Sequence, residues 1–149
     1  MLYATGRSMC HQVVRQAFDV EDVVTMVRRA HGGKVAFHDG DDELAPGISV
    51  HFVGGHTMGL QMVRVWTQRG WVVLASDASH YYANMEQERP FPIVYNLADM
   101  LAGHRKAYAL AASRRHVIPG HDPLVLARYP APNRALEGIV ARLDVDPAA

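Results

Sequence analysis

Residues 19–30 read Asp-Val-Glu-Asp-Val-Val-Thr-Met-Val-Arg-Arg-Ala, with an acceptor side chain at the start, an acid three residues on and two Arg near the end. These groups complement the unpaired N–H groups and the dipole of a helix, so the pattern predicts one here, ended by Gly32-Gly33. Residues 34–38 alternate apolar and polar into the turn-rich run Asp39-Gly40-Asp41-Asp42, and residues 48–53 alternate again, which is the period of a strand. Two further β-branched runs, 61–67 and 71–74, flank Gln68-Arg69-Gly70 and predict a hairpin. Residues 76–89 are polar and aromatic and lead into Pro90-Phe91-Pro92, which predicts a long loop. Residues 96–113 are Ala- and Leu-rich at helical spacing, Val117-Ile118 is a short strand ending at Pro119-Gly120, and residues 133–143 predict a last amphipathic helix. The whole is an α/β (α+β) arrangement, and its polar clusters fall just after strands.

Composition narrows the class. A chain of 149 residues, 49% hydrophobic and 20% charged, is the size of one globular domain with its own core. No repeat or linker divides it, so residues 1–149 are read as a single domain or part of one, without an internal boundary. The formal net charge of zero leaves no electrostatic footprint for nucleic acid or an anionic membrane. The single cysteine, Cys10, cannot form an internal disulfide. The first twenty residues lack the features of a signal peptide, and no stretch approaches the roughly 18 apolar residues of a membrane span. A soluble, cytoplasmic chain is expected. Nine His are an excess, and His is the commonest metal ligand, so the count directs attention to metals.

Three motifs each follow an apolar run directly: Gly54-Gly55-His56-Thr57-Met58-Gly59, Ser76-Asp77-Ala78 and Pro119-Gly120-His121-Asp122-Pro123. Glycines beside His56 and His121 let the backbone turn tightly, which aims an imidazole from a strand end into a shared cleft. A carboxylate at Asp77 can bridge two cations while neutral imidazoles each hold one. The separations of 21 and 44 residues are too long for a local loop site, so only a fold could bring the three together.

In this order the residues resemble the metallo-β-lactamase-fold hydrolases, in particular their quorum-quenching, N-acyl homoserine lactonase-like branch. The resemblance runs from the helix at Asp19 onward. It implies an αββα sandwich, with His56 as the third His of a zinc site, Asp77 as the bridging carboxylate and His121 as the last His. In such a site, hydroxide on the metal attacks a lactone or ester carbonyl while a cation or Tyr steadies the oxyanion. The run Ala78-Ser79-His80-Tyr81-Tyr82 and the following Arg89-Pro90-Phe91-Pro92 are similar to the same branch, in which a Tyr soon after the bridging Asp holds the substrate carbonyl. Tyr81 and Tyr82 both stand as catalytic candidates beside Asp77, because His80 occupies one register for that Tyr. His80 and Phe91 stand as substrate contacts.

The family signature His-x-His-x-Asp-His is absent: no two His are separated by a single residue, and no Asp-His dipeptide occurs. The resemblance is therefore to the C-terminal half of the fold. Three ligands cannot complete two zinc sites, which implies poor metal binding and impaired or no activity for this chain alone. A sheet without its partner would leave several hundred Å² of apolar surface uncovered, at roughly 25 cal/mol per Å² a loss on the order of 10 kcal/mol. That implies aggregation, a homodimer or a complementing N-terminal half. The readings therefore stand as a lactone or ester hydrolase, a thioester hydrolase of the glyoxalase II type, and a non-catalytic fragment or interaction half. His11, His31, His38, His51, His104 and His116 have no metal context and are assigned no role. Asp122 either orients His121 or starts a turn ahead of Pro123.

Overall fold

A computed structural model describes residues 3–148 as two compact units, Met1–His38 and Asp39–Ala149. In the first, a 3-10 turn at Arg7–Cys10 and a single helical turn, α1 (Gln12–Arg15), precede α2 (Val20–His31). The predicted start signal of α2 is realised: the Asp19 carboxylate accepts the Glu21 N–H at 2.8 Å, and Arg28, Arg29 and His31 occupy the last turn. Gly32 N–H then closes on Arg28 O at 3.0 Å. Residues 34–38, whose alternation predicted a strand, adopt no regular structure. Their period is right for a strand, but they lie where one unit gives way to the other.

The second unit is built on one sheet in the order β1 (Asp42–Ala45), β2 (Ile48–Phe52), β3 (Gln61–Thr67), β4 (Gly70–Ser76), β5 (Val117–Pro119). The first four strands form an antiparallel meander, and β5 joins β4 in parallel. β1 was not expected. Its signal is the pair Pro46-Gly47 between the facing residues Ala45 and Ile48, where proline presets the first turn residue and Gly47 supplies φ +77 at the second. The predicted β3–β4 hairpin is present, with Thr67 opposite Gly70.

β4 is buried on both faces, and the core follows its alternation. Val73 and Ala75 join Val53, Met62, Ala107 and Val117 on the side of α4 (Leu97–Leu110). Val72 packs on the other side with Ile118 and Tyr129, helped by Val125 from α5 (Leu124–Arg128) and by Leu143. A strand apolar on both faces between helical layers is the expected pattern of an α/β centre. Arg69 secures the second layer, its guanidinium donating to Tyr129 Oη and Val145 O at 2.9 Å and to Arg115 O at 2.6 Å.

Two expectations are corrected. The loop at 76–89 contains a short helix, α3 (Tyr82–Glu86), which is too brief to show a period and is held by burial of Tyr82 and Met85. The last helix, expected over 133–143, is only a 3-10 turn, Arg134–Leu136. Asn133 does cap it, accepting Ala135 N–H at 3.0 Å, but Gly138 turns the chain away at φ +74 and Arg142 N–H bonds back to Pro130 O.

Asp41 ties the sheet to α4. Its carboxylate accepts from Lys106 Nζ at 2.6 Å, from Phe52 N–H at 3.0 Å and from His51 Nδ1 at 2.9 Å, while Ser49 Oγ lies 2.9 Å from His51 Nε2. Burial pushes the Asp41 carboxyl up, but the hydrogen bonds from Lys106, His51 and Phe52 outweigh it and hold the group down at about 2 against an ordinary 3.8. A carboxyl depressed on folding contributes stability that is complete above its unfolded value and is lost as the pH falls through the folded one. With its side chain 47% exposed, screening limits that contribution to about 1 kcal/mol. Urea melts at pH 6 and pH 1.5 are expected to show Asp41→Asn less stable than the parent at the higher pH and nearly equal to it at the lower.

Candidate metal centre

β2, β4 and β5 all point the same way in the sheet, so the segments leaving their C-terminal ends emerge along one edge. These segments carry His56, Asp77 and His121. After β2, Gly54 and Gly55 turn the chain at φ +63 and +82. A Cβ on Gly55 would lie 2.7 Å from Met100 Cα, so glycine lets this loop seat against the first turns of α4. Its carbonyl accepts the N–H groups of Tyr95 and Asn96 at 2.8 and 2.9 Å. His56 Nδ1 lies 2.9 Å from Ile93 O. A carbonyl only accepts, so Nδ1 carries a proton and Nε2 is the ring nitrogen left for another partner.

After β4 the backbone enters the left-handed region at Ser76, φ +47, an arrangement that costs a non-glycine residue about 1 kcal/mol. The turn swings Asp77 off the strand, and Ser76 Oγ donates to Asp77 Oδ2 at 3.2 Å. β5 approaches this turn so closely that a Cβ on Gly120 would sit 2.7 Å from Ser76 O. Two backbone bonds fasten the crossing, Gly120 N–H to Ser79 O at 2.9 Å and His121 N–H to His80 O at 3.0 Å.

Both neighbouring imidazoles converge on one carboxylate oxygen. Asp77 Oδ1 is 2.7 Å from His121 Nε2 and 3.2 Å from His80 Nε2. One donor atom from each of Asp77, His80 and His121 lies within 4.8 Å of the other two. The His80 ring stacks on Phe91 at 3.5 Å and 7° and stands edge-on to His121 at 4.5 Å. His56 packs against the same pair, 5.8 Å from the His80 ring and 5.5 Å from Phe91. Burial pushes the Asp77 carboxyl up, but hydrogen bonds from His121 and Ser76 and the nearby histidine charges bring it below its ordinary value. Burial, reinforced by His121, lowers His80 despite the adjoining carboxylate. A neutral imidazole and an ionised carboxylate are the forms that ligate a metal.

The expected ligands Asp77 and His121 are thus in direct contact, and His56 stands beside them in ring contact with His80. His80 and Phe91, expected at the substrate, form the stacked wall of the cluster. His80 adds a donor that sequence reasoning did not count; its signal was the Asp77-x-x-His80 spacing immediately after a strand. The two tyrosines part company. Tyr81 is exposed, its ring edge-on to His80 at 6.4 Å. Tyr82 is buried: its N–H donates to Asp122 Oδ2 at 2.9 Å, its ring lies 4.2 Å beneath the Arg128 guanidinium, and burial pushes its hydroxyl up to about 12. Asp122 also accepts Leu124 N–H at 2.9 Å, which is the turn-starting role. Among the described residues, no helix is long and apolar enough to cross a membrane.

No family model matches the sequence. A curated N-acyl homoserine lactonase from Bacillus cereus is 32% identical over 90 residues, covering 58% of this chain and 32% of the relative, and a second from a Bacillus species is 33% identical over the same extent. A solved N-acyl homoserine lactone hydrolase, with N-hexanoyl-L-homoserine bound at its catalytic metal centre, superposes with a TM-score of 0.52 at 27% identity over 58% of this chain and 35% of its own. The chain is similar to part of an N-acyl homoserine lactonase. It spans about a third of the length of those curated relatives, and the sequence match is shorter than the near-complete resemblance expected. Its mixed α/β sheet is that of the metallo-β-lactamase-fold lactonases. The dizinc quorum-quenching lactonase AidC, 18% identical with a TM-score of 0.53, shares the fold over 82% of this chain and 40% of its own.

The approach of β5 to β4 makes Gly120 decisive. Gly120→Ala, which must displace the Ser76 backbone, is expected to lower stability by about 2 kcal/mol or more in urea melts and to alter the Asp77 and His121 resonances in NMR spectra. A variant as stable as the parent, with those resonances unmoved, would remove this contact from the account.

Proposed function

We propose that this chain is the C-terminal part of a metal-dependent lactone hydrolase of the N-acyl homoserine lactonase type. The observation that carries the reading is the convergence of His121 and His80 on Asp77 at the end of β4, in a fold shared with lactonases. A nitrogen, nitrogen and oxygen donor set at strand ends suits zinc.

Asp77 and His121 are assigned as ligands of one zinc, and His56, whose Nδ1 is held by Ile93 O, to the second ion of the completed unit. A bound zinc supplies Lewis-acid polarisation of a substrate carbonyl. Phe91, stacked behind the His80 ring, is assigned to the substrate side of the cluster. Tyr81, exposed and edge-on to His80, is assigned as the phenol that would donate to the carbonyl or the leaving oxygen. Tyr82, which lies under Arg128, supports α3 instead. The remaining donors of a two-metal site are assigned to an N-terminal partner segment carrying His-x-His-x-Asp-His, so catalysis belongs to the completed unit.

Ring opening of N-hexanoyl-homoserine lactone, followed by acid release, tests the reading. The chain alone is expected to be nearly inactive. Mixing it with a separately expressed N-terminal half bearing the signature is expected to raise turnover, with chelation abolishing the gain and Asp77→Asn lowering it at least ~100-fold. Turnover indifferent to chelator, or a complemented unit that cleaves a glutathione thioester but no lactone, would overturn the assignment.

A further inference from the structure

Resting on the metal reading above, we infer that His80 is itself a metal ligand and that Asp77, His80 and His121 form a single-ion site within this chain, with His56 outside its coordination sphere. Zinc holds nitrogen and oxygen donors at about 2.0–2.2 Å, which places tetrahedral neighbours roughly 3.4 Å apart. Asp77 Oδ1 already lies 2.7 and 3.2 Å from the two Nε2 atoms, and the widest donor separation is within 4.8 Å. Small side-chain shifts therefore suffice to admit an ion.

The two histidines are also held in place. Their backbones are joined by His121 N–H to His80 O at 3.0 Å. The preceding Ser79 is pinned by its Oγ donating to Tyr81 O at 2.8 Å and by its carbonyl accepting Gly120 N–H. The His80 ring is clamped face to face on Phe91 at 3.5 Å, which fixes the plane in which Nε2 faces Asp77. Ligands ordered before the ion arrives spend less conformational entropy on binding it. Among the described residues, the donor atoms within 4.8 Å of one another come from Asp77, His80 and His121, while His56 is anchored through Ile93 O and does not join that group. Three protein ligands and one open position are the composition of a mononuclear catalytic zinc site.

Titration of the full chain with cobalt(II), read by visible absorption and calorimetry, tests the inference. One ion per chain is expected, with His80→Phe weakening binding at least ~100-fold and His56→Phe leaving it within about threefold. The phenylalanine at position 80 preserves a ring on Phe91, and melting curves check that the variant folds. A second readout uses the unaltered chain: zinc is expected to protect His80 and His121 from diethyl pyrocarbonate, read by peptide mass spectrometry, while exposed His11 remains reactive. If His56→Phe loses the ion and His80→Phe keeps it, the inference fails and the metal reading stands. If the unaltered chain binds no cobalt and zinc protects no histidine, the inference fails, while the metal reading, whose remaining donors come from the N-terminal segment, is decided by chelation of the complemented unit.

Discussion

The second unit depends on the parallel pairing of β5 with β4, and above all on its last step, where Gly120 lies against the Ser76 backbone. Asp77 and His121 are 44 residues apart in sequence and 2.7 Å apart in space because this crossing admits no side chain. The same crossing supports the left-handed turn at Ser76 and the partly buried Asp77 carboxylate, both of which cost free energy. Those costs are met by the apolar residues just behind, Val73 and Ala75 on β4 and Val117 on β5, all of them fully buried. The chemistry thus sits at the exposed end of the most deeply buried pair of strands.

Much of this was legible in the sequence where local chemistry and tertiary demand agree. The Asp19 cap announced α2, the Ala- and Leu-rich helical spacing over 96–113 announced α4, and the two β-branched runs announced β3 and β4. Gly-His after an apolar run marked the strand ends, and the structure sets Asp77 against His121. What was not legible depended on contacts beyond the local window. α3 has five residues and exists because Met85 fits the core, and β1 exists because Pro46-Gly47 folds an acidic segment back on β2. Residues 133–143 carry a helical pattern, but the positive φ of Gly138 and the return of Arg142 to Pro130 take precedence over propensity. For His80, the Asp-x-x-His spacing was visible, but the Phe91 platform that aims the ring lies eleven residues further on.

The neighbourhood of Asp77 separates two roles that a single residue type often combines. His121 comes from the strand next door and meets the carboxylate directly, whereas His80 comes from the turn itself and is steered by an aromatic face. His56 approaches from a third element and is committed through Nδ1 to the segment before α4. Three imidazoles in one cleft therefore report on three different parts of the fold, and a disturbance of any one part reaches the carboxylate through a different ring.

At its far edge the sheet ends in a strand of four residues that begins Asp42-Glu43 and breaks register between Glu43 and Ala45. Short, charged, irregular borders make poor templates for an incoming chain. Fibril-like growth by stacking strand on strand has no purchase at that border.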